Sequence, residues 1–301
     1  VNTYDANKTI ESTLADSNLT LSGQVLVDSV KKEETQAVVI AGGVGGKVGI
    51  SGAVSIYNAG STLSSTIHGS HITAGSLKLG STNVSKITVT NVAVAGGAAA
   101  GIAGSVVVNN LGDTTKSEMT GTGELDIKGD VEVKASLDQT TDFDVASVGV
   151  GGKGGVAGSV VISTIDNNTS AQVGSGYTIT SAFDVSLEAL SNYTRKGFAG
   201  AVAGGSVGVG AVVTIDDIQN TTNAIFAASD VTITGALDVQ ANSINDFDLL
   251  ALNISGGGVA IGVTVNIVNL GGDISSTTGD LVSDEQADLD EYNKVVEEFG
   301  I

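Results

Sequence analysis

Apolar and polar residues alternate with a period of two along much of the chain. In Asp130-Val131-Glu132-Val133-Lys134-Ala135 the odd positions are apolar and the even ones charged. That period predicts an extended strand with one face buried and one wet. The pattern recurs as paired short runs. Examples are Leu19-Thr20-Leu21 with Val25-Leu26-Val27, Leu125-Asp126-Ile127 with Val131-Glu132-Val133, and Val231-Thr232-Ile233 with Leu237-Asp238-Val239. Two further copies end at Leu79 and Leu187. The five markers Val27, Leu79, Val133, Leu187 and Val239 are spaced by 52, 54, 54 and 52 residues.

A second, glycine-rich block also occurs five times. It reads Gly49-Ile50-Ser51-Gly52-Ala53-Val54-Ser55-Ile56, then Gly101-Ile102-Ala103-Gly104-Ser105-Val106-Val107-Val108, then Gly155-Val156-Ala157-Gly158-Ser159-Val160-Val161-Ile162. Two degenerate copies end at Ile215 and Ile267, and the spacings from Ile56 onward are 52, 54, 53 and 52. The apolar alternation is lost here, as expected where both faces are covered or backbones approach closely. Two independent markers thus share a period of about 53 residues. One such unit cannot bury its own apolar strands, but stacked units can.

The expected fold is therefore all-β: a repeat-built β-solenoid, or parallel β-helix, right-handed on grounds of chain chirality. Four to five short strands per unit leave two ordinary coils or one large coil open. The clusters Asn109-Asn110-Leu111-Gly112-Asp113, Asp166-Asn167-Asn168 and Asn269-Leu270-Gly271-Gly272-Asp273 are expected to build one recurring corner, since Asn, Asp and Gly accept left-handed backbone. Residues 1–280 are expected to form one solenoid of about five repeats. It opens in the alternating block (Asn18 to Val30) and closes in the glycine block (Gly256 to Leu270), so it starts and ends mid-repeat. Residues 281–301 read differently. Ser283-Asp284-Glu285-Gln286 has capping-box spacing, and Leu289, Tyr292, Val296 and Phe299 follow at helical spacing. A short C-terminal helix is expected there, either a cap over the open end of the solenoid or a tail. Val1-Asn2-Thr3-Tyr4 lacks an initiator Met, a basic region and an apolar run, so the chain reads as a mature or excised segment.

Composition agrees with stacked strands. The 301 residues include 42 glycines but no proline, cysteine or tryptophan, and aromatics are only 4%. Proline is expected to be rare where each strand donates hydrogen bonds to both neighbours. With so few aromatics, the core is expected to be built from Val, Ile, Leu and Ala. Thirteen basic against 33 acidic residues give a net charge of −20. Such a chain is repelled by phosphate backbones and by anionic membrane surfaces, which argues against nucleic acid as a partner. No cysteine means no disulfide framework and no thiolate metal site.

The candidate chemistry is sparse. His68 and His71 are the only histidines and have no third ligand nearby in sequence. Gly149-x-Gly151-x-x-Gly154 matches a dinucleotide fingerprint in letters, but it sits in a repeated strand block, so tight strand packing is the better reading. The carboxylate pairs Asp142/Asp144, Asp216/Asp217 and Asp246/Asp248, with Arg195 and Lys196 as cationic neighbours, are the residues a carbohydrate-active site would draw on. Tryptophan, the usual sugar platform, is absent. The apolar stretches Val92 to Val108, Ala201 to Ile215 and Leu249 to Val265 are too short and too rich in Gly, Val and Ser for spanning helices, so no membrane insertion is expected. The Thr-x-Thr runs at Thr88, Thr178 and Thr232 are not kept in every repeat, and strand propensity accounts for them. We therefore expect no enzyme, no catalytic, cofactor-binding or metal-binding residues and no cofactor, structural calcium at the Asp/Asn clusters being the one ion left open.

The run Gly155-Val156-Ala157-Gly158-Ser159-Val160-Val161-Ile162, then Asp166-Asn167-Asn168-Thr169, then Asp184-Val185-Ser186-Leu187-Glu188-Ala189 resembles the repeats of very large secreted bacterial proteins. These are filamentous-haemagglutinin-like adhesins, autotransporter passengers and leukotoxin-like repeat proteins. The resemblance is one of repeat style and covers roughly residues 18 to 275. It implies a β-helical stalk, display on the bacterial surface or secretion, and a role in adhesion or matrix building. It carries over no functional residue. The partners it implies are neighbouring repeats or other copies stacked end to end, and a surface receptor or glycan. A self-assembling filament subunit is the runner-up. A carbohydrate-active β-helix enzyme and a membrane-acting toxin repeat follow.

Overall fold

In a computed structural model that describes residues 1–278, the repeat markers become lateral neighbours. Ile56 pairs with Val108, Val108 with Ile162, Ile162 with Ile215 and Ile215 with Ile267. Val27, Leu79, Val133, Leu187 and Val239 form a second such column. All strand pairs are parallel, so the chain is a β-solenoid that advances by one strand per repeat. One repeat makes one large coil. The helix expected within residues 281–301 lies outside the described residues.

The chain enters through β1 (Asn2–Ala15) and then winds as β2 (Asn18–Thr20), β3 (Gln24–Gly45) and β4 (Val48–His68). The second coil is β5 (His71–Ala74), β6 (Ser76–Gly97) and β7 (Ala100–Thr120), and the third β8 (Gly123–Ile127), β9 (Val131–Gly151) and β10 (Gly154–Val173). The fourth is β11 (Tyr177–Ser181), β12 (Val185–Gly204) and β13 (Val207–Phe226). The last is β14 (Ser229–Val231), β15 (Leu237–Gly256), β16 (Val259–Gly271) and β17 (Ile274–Thr278). Three sheets result. A front sheet runs β1-β4-β7-β10-β13-β16 with β17 beside β13, a back sheet runs β3-β6-β9-β12-β15, and a short sheet runs β2-β5-β8-β11-β14.

The long strands of complete coils hold 20 to 22 residues, several times the usual five or six. Front and back strands meet through two-residue corners such as Gly46-Lys47 and Gly152-Lys153, whereas the short sheet separates them at the other end. The cross-section is therefore a wedge. Side-chain size follows its width. At the narrow edge inward positions are glycine, where a Cβ on Gly49, Gly101 or Gly155 would run into backbone of the opposite sheet. Next comes a small alanine cluster of Ala53, Ala93, Ala95 and Ala103. Val107, Leu111, Phe143, Val161 and Tyr193 fill the middle, and Ile67, Leu79, Met119, Leu125 and Tyr177 fill the wide end.

The Asn/Asp clusters do not form the expected corner. Asn109 to Asp113 lie within β7 and Asp166 to Asn168 within β10, and only the last copy breaks its strand, at Gly272. Strand continuity wins because the inward members are paired inside. Asp113 accepts from Ser61 and Gln139, and the Asn167 amide donates to Gln139 and Asn220. The left-handed corner is built elsewhere in the repeat, at Asp16, Gly69 and Gly121, with φ of 48°, 55° and 77°.

Candidate functional site

Each sequence-level candidate has a definite place. His68 ends β4 on the surface, with Nδ1 3.1 Å from the Thr120 hydroxyl, and His71 begins the short strand beside Glu124. Asp142 and Asp144 share the outer face of the back sheet, as do Asp246 and Asp248 in the last coil. Burial, followed by repulsion from Asp142, raises the Asp144 carboxyl above the ordinary carboxylate range. Asp216 and Asp217 point to opposite faces of β13, because adjacent strand residues must. Asp216 is fully buried and meets Arg195, Nε to Oδ1 2.9 Å, whereas Lys196 points outward. The Arg195 guanidinium also lies over the Phe143 ring at 4.5 Å. Arg195 is thus a core residue, and it does not join the outer carboxylates. Among the described residues no group of three or more His, Cys, Asp or Glu side chains could hold a metal ion. The fingerprint-like glycines Gly149 and Gly151 line the narrow edge, where a Cβ would strike the carbonyls of Val156 and Gly154.

A second polar group lies inside the first coils. Lys31 is buried and bonds the Ser61 hydroxyl at 2.9 Å, with Glu33 3.2 Å away. Burial works to raise the Glu33 carboxyl, but hydrogen bonds from Lys8, Tyr4 and Lys31 outweigh it and leave the group below its ordinary value. Lys31, Glu33 and Ser61 satisfy one another inside, and Lys8 reaches Glu33 from an exposed position.

What the solenoid offers to a partner is its outer faces, and the front sheet is divided. From the narrow edge to Ile56 and its equivalents in β7, β10, β13 and β16, every outward position is apolar or glycine. Inside an outermost column of Val48-Ala100-Gly154-Val207-Val259 runs the column Ile50-Ile102-Val156-Val209-Ile261. Next come Gly52-Gly104-Gly158-Ala211-Val263 and an all-valine column through Val54, Val106 and Val160. The last apolar column is the Ile56 marker itself. Ile50 is 69% exposed and Val156 43%, although both sit in continuous strands. Beyond this patch the outward columns turn polar. Asp5, Asn7, Asn58, Asn110 and Asp166 line an open hollow of about 360 Å³ over Gly60 and Gly112.

The sequence signal for the patch was present but reads the opposite way. Val and Ile in a strand block suggest a core, yet here the small residues are inside and the large ones outside. Compared with protein-family models, curated proteins and solved structures, the chain matches none.

Proposed function

We propose that this chain is a non-enzymatic structural or adhesive protein of the bacterial cell surface, a stiff solenoid segment whose broad faces meet other surfaces. The observation that carries the reading is the unbroken stacking of equivalent strands through all five coils. Each repeat adds one strand spacing of about 4.8 Å in height, while a 21-residue strand spans about 70 Å. A coil of this kind builds far more breadth than length, which suits presentation of an extended face. The Asn and Asp side chains around Gly60 and Gly112 supply hydrogen-bonding groups for a hydroxyl-rich ligand such as a surface glycan.

Beads coated with the chain test this. They are expected to be retained on polysaccharide-coated surfaces more strongly than beads coated with an equally acidic, non-repetitive protein. Equal retention would overturn the adhesive reading. Shortening of the polysaccharide during contact would replace it with the carbohydrate-active alternative.

A further inference from the structure

The outward glycines of the front sheet have no role inside the chain. A Cβ on Gly104 or Gly158 would meet nothing within 4 Å, and on Gly52 only the Gly104 carbonyl at 3.9 Å. None of the three has a positive φ. In the same column the fourth and fifth coils already carry Ala211 and Val263, so the fold accepts larger side chains there. Glycine inside a strand weakens it and gives no packing in return. Three consecutive repeats nevertheless keep it, between an exposed ridge of Ile50, Ile102 and Val156 and a partly exposed one of Val54, Val106 and Val160. A groove of that kind is shaped for something that comes from outside.

We propose that this face pairs with the same face of a second copy, the Ile50-Ile102-Val156 and Val54-Val106-Val160 ridges of each bordering the glycine groove into which a ridge of the other fits. The four columns from Ile50 to Ile56, over five strands, cover about 23 Å by 24 Å, or about 550 Å² per copy. Two copies then bury about 1,100 Å², which clears the roughly 1,000 Å² that a specific interface needs. A face that carries its own ridge and groove is self-complementary, as a two-fold interface requires. Seating ridge in groove reverses strand direction between copies and leaves the two solenoid axes parallel. The face carries no aromatic or basic side chain, the anchors expected of a membrane-lying surface. With a net charge of −20 the two copies repel at long range, so pairing strengthens as salt screens them.

Sedimentation equilibrium of the full chain against G52V/G104V/G158V tests the proposal. The unaltered chain is expected to reach twice its own mass and stop there, more readily at high salt. The triple variant is expected to bind itself roughly tenfold more weakly or worse, the scale of one displaced interface anchor, with an unchanged or higher melting temperature. A second variant, Val106→Lys, is expected to abolish pairing by burying an unpaired charge. A chain that stays monomeric at micromolar concentration and high salt would overturn the proposal, as would a triple variant that dimerises as tightly as the unaltered chain. Open-ended growth insensitive to both variants would place association at the solenoid ends instead. Flotation of the monomer with neutral phosphatidylcholine vesicles would give the face to a membrane.

Discussion

At the residue scale the interior is unusually polar, and many of its groups are paired, some within one coil and some with the next. Arg195 and Asp216 are the costliest pair to break, since both are buried. Replacing Arg195 with Met leaves a carboxylate without its cation and is expected to cost about 3–5 kcal/mol in stability. Replacing both, as R195M/D216L, is expected to recover most of that loss. Chemical denaturation of the two variants checks the order. Tyr193 gives a pH signature. Burial holds its hydroxyl neutral, with the pKa pushed up to about 12, and Thr141 lies 2.9 Å from it. In the unfolded chain tyrosine ionises near its ordinary value of about 10. Between these values the unfolded state has lost a proton that the folded state keeps, so stability falls as pH rises from about 10 to about 12. The loss attributable to Tyr193 is on the order of 2–3 kcal/mol, and Tyr193→Phe is expected to flatten the alkaline limb. Melting curves across that window, with tyrosinate absorbance alongside, provide the measurement.

At the scale of the strand, two glycines of one block have opposite meanings. Gly155 faces inward at the narrow edge, where a Cβ would strike backbone of Gly149 and Gly204. Gly158 faces outward into open space. Gly155→Ala must pry the two sheets apart and is expected to destabilise by about 1–3 kcal/mol, the range for overpacked cores. Gly158→Ala is expected to be neutral or to stabilise by about 0.5–1 kcal/mol, since alanine restricts the unfolded chain more. Thermal melts of the two single variants decide it. In the sequence both positions are simply a glycine within Gly155-Val156-Ala157-Gly158. The glycine block was legible as a close approach of backbones. Which glycines make that approach depends on the sheet opposite, which no local pattern encodes.

At the scale of the whole molecule, each coil touches chiefly the coils above and below it. Stability then adds up by repeat and by interface. Val131 pairs with Val185, an offset of 54 residues, so deleting residues 131–184 joins Asp130 to Val185 in the register that Asp184 had. The shortened chain is expected to keep its strand content per residue by circular dichroism. Deleting only residues 131–157 joins the entry to the back sheet to the middle of a front-sheet strand and is expected to leave the downstream coils unfolded. If both deletions melt alike, the coils are not the repeating unit of stability.

The sequence alone determined the repeat, its period, the strand character of its blocks and the parallel stacking, because equivalent side chains must share columns. Ile56 over Val108 and Val27 over Leu79 were both readable as spacings and are both paired. The tertiary structure decided what depends on distance between sheets. It made one coil of three strands from each repeat and ran the Asn clusters straight through β7 and β10. It also turned Arg195 inward and Lys196 outward, and set Val and Ile outside at the narrow edge with glycine within. The reason is the wedge. Alternation fixes that neighbours point to opposite faces, but only the gap to the opposing sheet decides whether the inward residue has room to be large.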